Sequence, residues 1–328
     1  MVEARTINPA AQDAYMRGRF HWHPRERAGM QKAIEYFRRA IGLDPHYAPA
    51  YAGLADCYTQ LARNGHLRPK KAFPLAKQAA LKAVELDDAL AEAHGALAVI
   101  AFYFEWDWTV AERELRRALD LNPNYEEAHH QYSHLLLTGG RPDESLTESR
   151  RALEPNPLDH LLMVHLGWHY MLTRQYDQAI TQLKSVLELD PNFYQALRHI
   201  GWVYIYKSLH AEAIAALEAA GKSEPDNVQA MANLATAYAA GGRGSDARAL
   251  LGQLDGSLGQ GYVSACDIAG VYATLNEVDA ALAWLEKAYE ERSTRMVELG
   301  LDPVFDPLRS DARFADLLRR VGLPAKKE

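Results

Sequence analysis

The amino-acid sequence predicts an all-α fold built from repeated helical hairpins, and three observations support this prediction. Small residues, prolines and tyrosines each recur at an interval of 34 residues. The three series are Ala111, Ser145, Ala179, Ala213, Ala247 and Ala281; Pro123, Pro157, Pro191 and Pro225; and Tyr170, Tyr204, Tyr238 and Tyr272. No segment alternates apolar and polar residues as a half-buried strand would. We therefore expect helical hairpins that stack on their neighbours.

Each repeat is predicted to form two consecutive amphipathic helices. Apolar residues at spacings of three and four run through AYAGLADCYTQLA and AIEYFRRAIGLDP, and Gly-Gly pairs in LLLTGGRPDE and YAAGGRGSDA mark the turn after a first helix. Asp-Pro and Asn-Pro steps end the second helices. Upstream, the segment 64–73 is predicted to lengthen one turn by nine residues and WDW at 106–108 the next by one.

The repeats predict a single solenoid over residues 1–328 with distinct segments. Residues 1–46 form an irregular first repeat, 47–254 hold repeats two to seven, and 262–292 form the eighth. A glycine-rich stretch at 255–261 is predicted to be a soft joint. Residues 293–328 contain one further amphipathic helix, which we expect to cap the stack.

Composition excludes several classes of protein. The chain has 328 residues, of which 48% are hydrophobic, and a net charge of -7, which argues against general nucleic-acid binding. Only Cys57 and Cys266 are present, so neither a disulfide framework nor a cysteine zinc site is expected. No secretion signal and no apolar run of about 18 residues is evident, so we expect no membrane segment and a cytoplasmic location.

The hairpin pattern resembles the tetratricopeptide repeat (TPR). The resemblance rests on Tyr51-x2-Leu54-Ala55-x2-Tyr58 and on Ala179-x3-Leu183-x2-Val186 followed by Pro191. It implies a right-handed α-solenoid of about eight hairpins plus the C-terminal capping helix, with first helices starting near residues 11, 48, 91, 126, 160, 194, 228 and 262. NPAAQDAYMRGRF, WDWTVAERELRRALDLNPNY and FDPLRSDARFADLLRRVGLP are also similar to the TPR regions of bacterial signalling and transcription-regulator proteins. That similarity implies a sensor or docking module, whose effector domain is not evident here.

In TPR arrays the first helices line a concave groove, and this register assigns candidate binding residues. Large aromatic, imidazole and guanidinium side chains fall at groove positions of repeats three to six, where an exposed large apolar side chain forgoes roughly 1.5–3 kcal/mol of burial. We expect this surface to bind a peptide or helix of a partner protein. The candidates are Phe102, Tyr103, His130, His134, Trp168, Arg198, Trp202 and Tyr206.

Three alternatives remain open at this stage. The aromatic residues could instead form the core between repeats. The chain could assemble head to tail through its terminal repeats, with Trp22, Phe305 and Phe314 as apolar contacts. A metal could bind His130, His134 and His165, although no further ligand is poised to complete a tetrahedron, so we predict no metal and no cofactor.

No catalytic motif is present. GGRGS at 241–245 lacks a preceding strand and a following lysine, and turn chemistry explains its glycines. There is no HExxH or GxSxG, and Cys266 has no evident base partner. We therefore predict a non-enzymatic scaffold.

Overall fold

The structure, a computed structural model, describes residues 8–22, 27–225, 227–256 and 262–324. Every regular element within these ranges is a helix. The helices α1 to α16 pair in chain order as eight hairpins, and two 3-10 segments and α17 follow. The prediction of an all-α solenoid of helical hairpins is confirmed.

The chain divides into two compact units, Met1–Gln131 and Tyr132–Glu328, and the division lies inside α7. The first unit contains three complete hairpins and the beginning of α7. Its helices are α1 (Pro9–Trp22), α2 (Arg27–Leu43), α3 (Ala48–Arg63), α4 (Pro69–Leu86), α5 (Ala91–Ile100) with a π-helical turn (Ala101–Glu105), α6 (Trp108–Leu121) and α7 (Glu126–Thr138).

The second unit continues the same alternation from the end of α7. The 3-10 segments are Thr294–Glu298 and Pro303–Leu308. The helices are α8 (Pro142–Leu153), α9 (His160–Leu172), α10 (Tyr176–Leu189), α11 (Tyr194–Tyr206), α12 (His210–Ser223), α13 (Val228–Ala240), α14 (Gly244–Gly256), α15 (Ala265–Thr274), α16 (Val278–Glu291) and α17 (Ala312–Val321). Six of the eight first helices begin at the residue that the repeat alignment predicts, whereas α1 and α15 begin at residues 9 and 265. The assignment of the chain to one continuous solenoid domain stays a prediction.

The period of small residues arises from close contact within the hairpins. All six members of the series from Ala111 to Ala281 are completely buried, since a larger side chain there would separate the paired helices. Glycines serve the same purpose on the first helices. A Cβ atom on Gly167 would lie 2.8 Å from Leu183, and one on Gly201 would lie 2.6 Å from Leu217.

A left-handed backbone conformation also recurs at the interval of 34 residues, although the residue types at these positions differ. After six of the described first helices, the turn contains a residue in the left-handed conformation, with φ between 58° and 77°. The series is Trp106, Gly140, Arg174, Ser208, Gly242 and Asn276. Glycine adopts this conformation without a Cβ clash, so the Gly-Gly pairs mark only two of the six turns.

Both predicted insertions are placed differently by the structure. The extra residue of the third repeat does not lengthen the turn at 106–108, because it is absorbed by the π-helical turn Ala101–Glu105. The nine extra residues near 64–73 mostly extend helices. α3 has 16 residues against 13 in α9, and α4 has 18 against 14 in α10, which leaves only two for the turn.

Two remaining segments bear on the predicted boundaries. The glycine-rich stretch at 255–261 lies outside the described residues except for the end of α14. Among the described helices, none combines the length and apolar character needed to cross a bilayer.

Residues 293–308 do not continue the hairpin order, and they lead to α17, whose Arg320 binds Glu286 of α16.

Candidate functional site

We call the side of each unit formed by the first helices of its hairpins the first-helix face. In the second unit this face is formed by the end of α7 and by α9, α11, α13 and α15. Two predicted residues meet there, since His134 stacks on Trp168 with ring centroids 4.6 Å apart and an interplanar angle of 26°. His165 lies 4.9 Å from His134, centroid to centroid. Both predicted rings are buried, His134 to 4% and Trp168 to 6% exposure.

The C-terminal segment, which we define as Ser293–Leu308, covers the next part of this face. Its Arg295 places a guanidinium carbon 5.9 Å from the centre of the Trp202 ring. The hydroxyl of Tyr206 donates a hydrogen bond of 2.5 Å to Asp302. Trp202 and Tyr206 are therefore brought together as predicted, with ring centroids 5.8 Å apart, but the chain's own segment lies over them.

The C-terminal segment is also held by ion pairs. Arg295 donates to Asp267 of α15 and, at 2.6 Å, to Asp302 within the segment. Farther along, Arg174 donates two hydrogen bonds, of 2.9 and 2.7 Å, to the carboxylate of Asp306. The left-handed turn residue of the fifth hairpin thereby binds the segment directly. A stretch of the chain's own polypeptide, which contains two 3-10 segments, thus occupies the first-helix face of the second unit through charged and aromatic contacts.

Arg295 lies among several carboxylates that belong to α15 and to the C-terminal segment. Burial alone would lower the pKa of Arg295, but Asp267, Glu298 and Asp302 raise it well above its usual range. Arg295 therefore faces three carboxylates, and Arg198 also acts on one of them, Glu298. Burial raises the pKa of Glu298 from its ordinary value, Arg295 opposes this shift, and Asp302 adds to it. A buried charge of this kind is stable only while its partners stay in place.

Arg198 occupies the part of the face beside this cluster and is oriented by its neighbour. Burial lowers the pKa of His199 well below its usual range, and Arg198 lowers it further. The neutral ring donates from Nδ1 to the carbonyl oxygen of Gln195 at 2.7 Å and accepts at Nε2 from Arg198 Nη2 at 3.2 Å. Arg198 is half-buried, and its Nε has no hydrogen-bond partner among the described residues.

The remaining predicted residues lie in the first unit. Phe102 is buried against Trp108 of its own hairpin, with ring centroids 5.4 Å apart, because the π-helical turn shifts its register. Tyr103 accepts a hydrogen bond of 3.1 Å from Arg63, whose guanidinium lies 4.3 Å from the ring centre. His130 is 2% exposed and has Nδ1 at 3.5 Å from a Glu127 oxygen.

The sequence analysis missed a pocket on the first-helix face of the first unit. Its space is about 320 Å³ including the part open to solvent, and its narrow interior has room for roughly one water-sized group. The repeat positions that predict Trp202 and Tyr206 also apply to α3, but polar residues there were not selected. The lining residues are Trp22, Asp56, Thr59, Gln60, Arg63, Gly95, Val99, Tyr125, Glu127 and Gln131.

The positions of these side chains bear on two alternatives, a histidine metal site and head-to-tail assembly. The candidate metal ligand His130 lies in the first unit, and His134 and His165 in the second, so the histidine metal site stays an alternative to the prediction of no metal. The apolar contacts named for head-to-tail assembly are unavailable. Trp22, Phe305 and Phe314 are each buried inside their own unit, because they fill spaces between helices.

The fold and its two faces define the class of protein as a tandem helical-hairpin repeat protein. The tetratricopeptide repeat family matches residues 30–47, 164–220 and 208–265. These matches confirm the predicted resemblance to the tetratricopeptide repeat.

Three similarities accompany the family match. Residues of this chain are 26% identical over 143 residues to the transcriptional regulator HilA of Salmonella typhimurium, and equally to that of Salmonella typhi. The alignment covers 44% of this chain and 26% of the regulator, so the chain spans about a quarter of that relative. The crystal structure of the APC/C hetero-tetramer Cut9-Hcn1 is similar at a TM-score of 0.51 and 18% identity, over 69% of this chain and 46% of that one. This structural similarity supports the fold alone.

Proposed function

We propose that the chain is a non-catalytic scaffold that binds an extended segment of a partner protein on its first-helix face. The observation that carries this proposal is the C-terminal segment, because Ser293–Leu308 already lies on that face as a bound polypeptide would. Aromatic rings, a guanidinium and hydrogen-bonding side chains are the groups that recognise such segments in protein interfaces.

The contacts of Arg295, Asp302 and Asp306 indicate the chemistry that a partner would have to reproduce. A competing segment needs a cation near Trp202 and carboxylates near Tyr206 and Arg174. The partner would displace the C-terminal segment, so its binding would be weakened by the free energy of that displacement. The resemblance to a bacterial transcriptional regulator supports placing this binding in a signalling system, where the module would act as a docking or sensing part.

Quantitative affinity capture tests the proposal. The full chain, an Arg198→Ala variant and an Arg150→Ala variant are used as baits, and captured proteins are measured by mass spectrometry. Arg198 lies on the first-helix face, whereas Arg150 lies exposed on the second helix α8 and serves as the matched control. We expect a protein that is depleted by Arg198→Ala and retained by Arg150→Ala. Equal capture by all three baits would contradict the proposal.

Self-assembly through the first repeat is a second candidate, favoured by one observation. On α1, Met16 is 60% exposed and Phe20 is 76% exposed, although both are large apolar side chains. We expect an assembling chain to show a concentration-dependent mass by light scattering, and Phe20→Ser to abolish the increase. A constant monomer mass at high concentration would remove this candidate.

A further inference from the structure

The pocket on the first-helix face of the first unit contains a buried hydrogen-bond acceptor that lacks a donor. The side chain of Gln131 is 2% exposed, and its Oε1 has no hydrogen-bond partner among the described residues. Leaving such an atom unsatisfied costs about 1–3 kcal/mol, so it indicates a missing ligand or an ordered water.

The orientation of this amide is determined by its neighbour. Nε2 of Gln131 donates a hydrogen bond of 2.7 Å to Oε1 of Glu127 and lies 3.3 Å from Nδ1 of His130. Turning the amide over would place its oxygen against the carboxylate of Glu127, which can only accept. The acceptor without a donor is therefore Oε1, and it belongs to a side chain that lines the pocket.

The charges around the pocket favour a cationic donor. The carboxylates of Asp56 and Glu127 line it, and Glu92 lies near enough to act electrostatically on Tyr125 together with them. Two guanidinium groups oppose these three carboxylates, namely Arg19 and Arg63. Among these five described groups, one negative charge remains in excess.

Neither guanidinium provides the missing donor to Gln131. The Arg63 guanidinium is held against Tyr103, to which it donates at 3.1 Å. The Arg19 guanidinium carbon lies 4.8 Å from the centre of the Trp22 ring. Each guanidinium thus lies against an aromatic ring, and Oε1 of Gln131 has no hydrogen-bond partner among the described residues.

We propose that this pocket binds a primary ammonium group, carried by a lysine side chain of the partner segment. An ammonium matches the water-sized interior, donates three hydrogen bonds and complements Gln131 Oε1 and the carboxylates. The apolar surfaces of Trp22 and Val99 would contact the methylene stem of the lysine. A planar guanidinium is larger, and a carboxylate would meet like charge. This inference rests on the proposed function, because it assigns the partner's chemistry at one point of the first-helix face.

The test is a titration of the full chain followed by NMR. The probe is a short acetylated and amidated alanine peptide with a single central lysine, and the comparison peptide carries norleucine instead. The backbone amides of Thr59 and Gly95, which line the pocket, are the reporters. We expect saturable shifts with the lysine peptide and none with the norleucine peptide, and Gln131→Leu to weaken the lysine peptide about tenfold or more.

Control variants separate the possible outcomes. Asp56→Asn removes a lining charge without deleting Gln131, so it remains informative if Gln131→Leu folds poorly, and we expect it to weaken the lysine peptide as well. Gln178→Leu, on the exposed surface of α10, is expected to leave binding unchanged. Equal shifts with norleucine would overturn the inference in favour of an apolar cleft, and no saturable shift in favour of an ordered water. A natural partner that depends on Arg198 but ignores Gln131→Leu would overturn this inference and leave the proposed function standing.

Discussion

Arg295 reaches across the first-helix face of the second unit to Trp202, with its guanidinium carbon 5.9 Å from the ring centre. This distance is within the range of a cation-π contact. The same guanidinium binds Asp267 on α15 and Asp302 in the C-terminal segment. One side chain therefore connects the segment to two first helices, and its removal is the most direct way to loosen the segment.

Arg295→Ala is expected to expose Cys266. The thiol is completely buried, lies 3.6 Å from the sulfur of Met296, and has its pKa raised to about 12, chiefly by burial. Deleting one partner of a buried ion pair costs about 3–5 kcal/mol, so the segment should open more often. The measurement is the alkylation rate of Cys266 by peptide mass spectrometry. Cys57, equally buried in the first unit, is the internal control and should not change.

Gly201→Ala is expected to destabilise the second unit by about 1–3 kcal/mol, because the new methyl group would lie 2.6 Å from Leu217. Gly221→Ala on α12 is the matched control, since no atom lies within 4 Å of its added methyl group. The control should be neutral or stabilising by up to about 1 kcal/mol. Urea unfolding of both variants measures the difference. Equal stabilities of the two variants would show that the close contact between α11 and α12 is absent.

Ser208→Gly is expected to stabilise the chain by about 1 kcal/mol or less, because Ser208 has a φ of 58° that favours glycine. Ser223→Gly, at the end of α12 with an ordinary helical backbone, is the control and should destabilise instead. Thermal unfolding followed by circular dichroism would reveal the opposite signs. A loss of stability in Ser208→Gly would contradict the assigned turn conformation.

His199 is expected to make stability depend on pH. Its folded-state pKa lies well below the unfolded value, first because of burial and then because of Arg198. The unfolded chain therefore binds a proton that the folded chain does not once the pH falls below about 6.5, so stability should decrease in that direction. Urea unfolding between about pH 8 and about pH 5 measures the decrease. His199→Gln should make it shallower, while the exposed His46→Gln should not.

The fold could be predicted because its determinants are local and periodic. Helix starts at residues 48, 91, 126, 160, 194 and 228 follow from the recurrence of small residues, prolines and tyrosines. The π-helical turn Ala101–Glu105 could not be predicted in the same way, because an α-helical register assumes one fixed rotation per residue. Phe102 consequently packs inside its hairpin, where the regular register would place it in the groove.

The repeat register accounts for some of the contacts on the first-helix face, while the binding role of these residues stays a prediction. His134 with Trp168 and Trp202 with Tyr206 do meet on the first-helix face, since each pair follows from repeat register. The covering segment could not be found from any period. Asp302 contacts Tyr206 across 96 residues and Asp306 contacts Arg174 across 132, and no local pattern records such contacts.

The pocket of the first unit was missed for a different reason. On α3, Asp56 and Gln60 occupy the positions that Trp202 and Tyr206 occupy on α11, and Thr59 precedes Gln60 at the neighbouring groove position. The candidate groove residues were chosen by residue type, as aromatic, imidazole or guanidinium side chains. These polar residues of α3 were therefore left out, although the repeat register places them in the groove. Applying each groove position to every repeat, whatever the residue type, would have included these three side chains.

Capture of the natural partner by Arg295→Ala, compared with the unmodified chain, tests the central claim most directly. If the C-terminal segment covers the surface that binds the partner, loosening it should increase the amount captured, and adding Arg198→Ala to the same variant should remove the increase. Unchanged or reduced capture by Arg295→Ala, at an increased alkylation rate of Cys266, would show that the uncovered face is not where the partner binds.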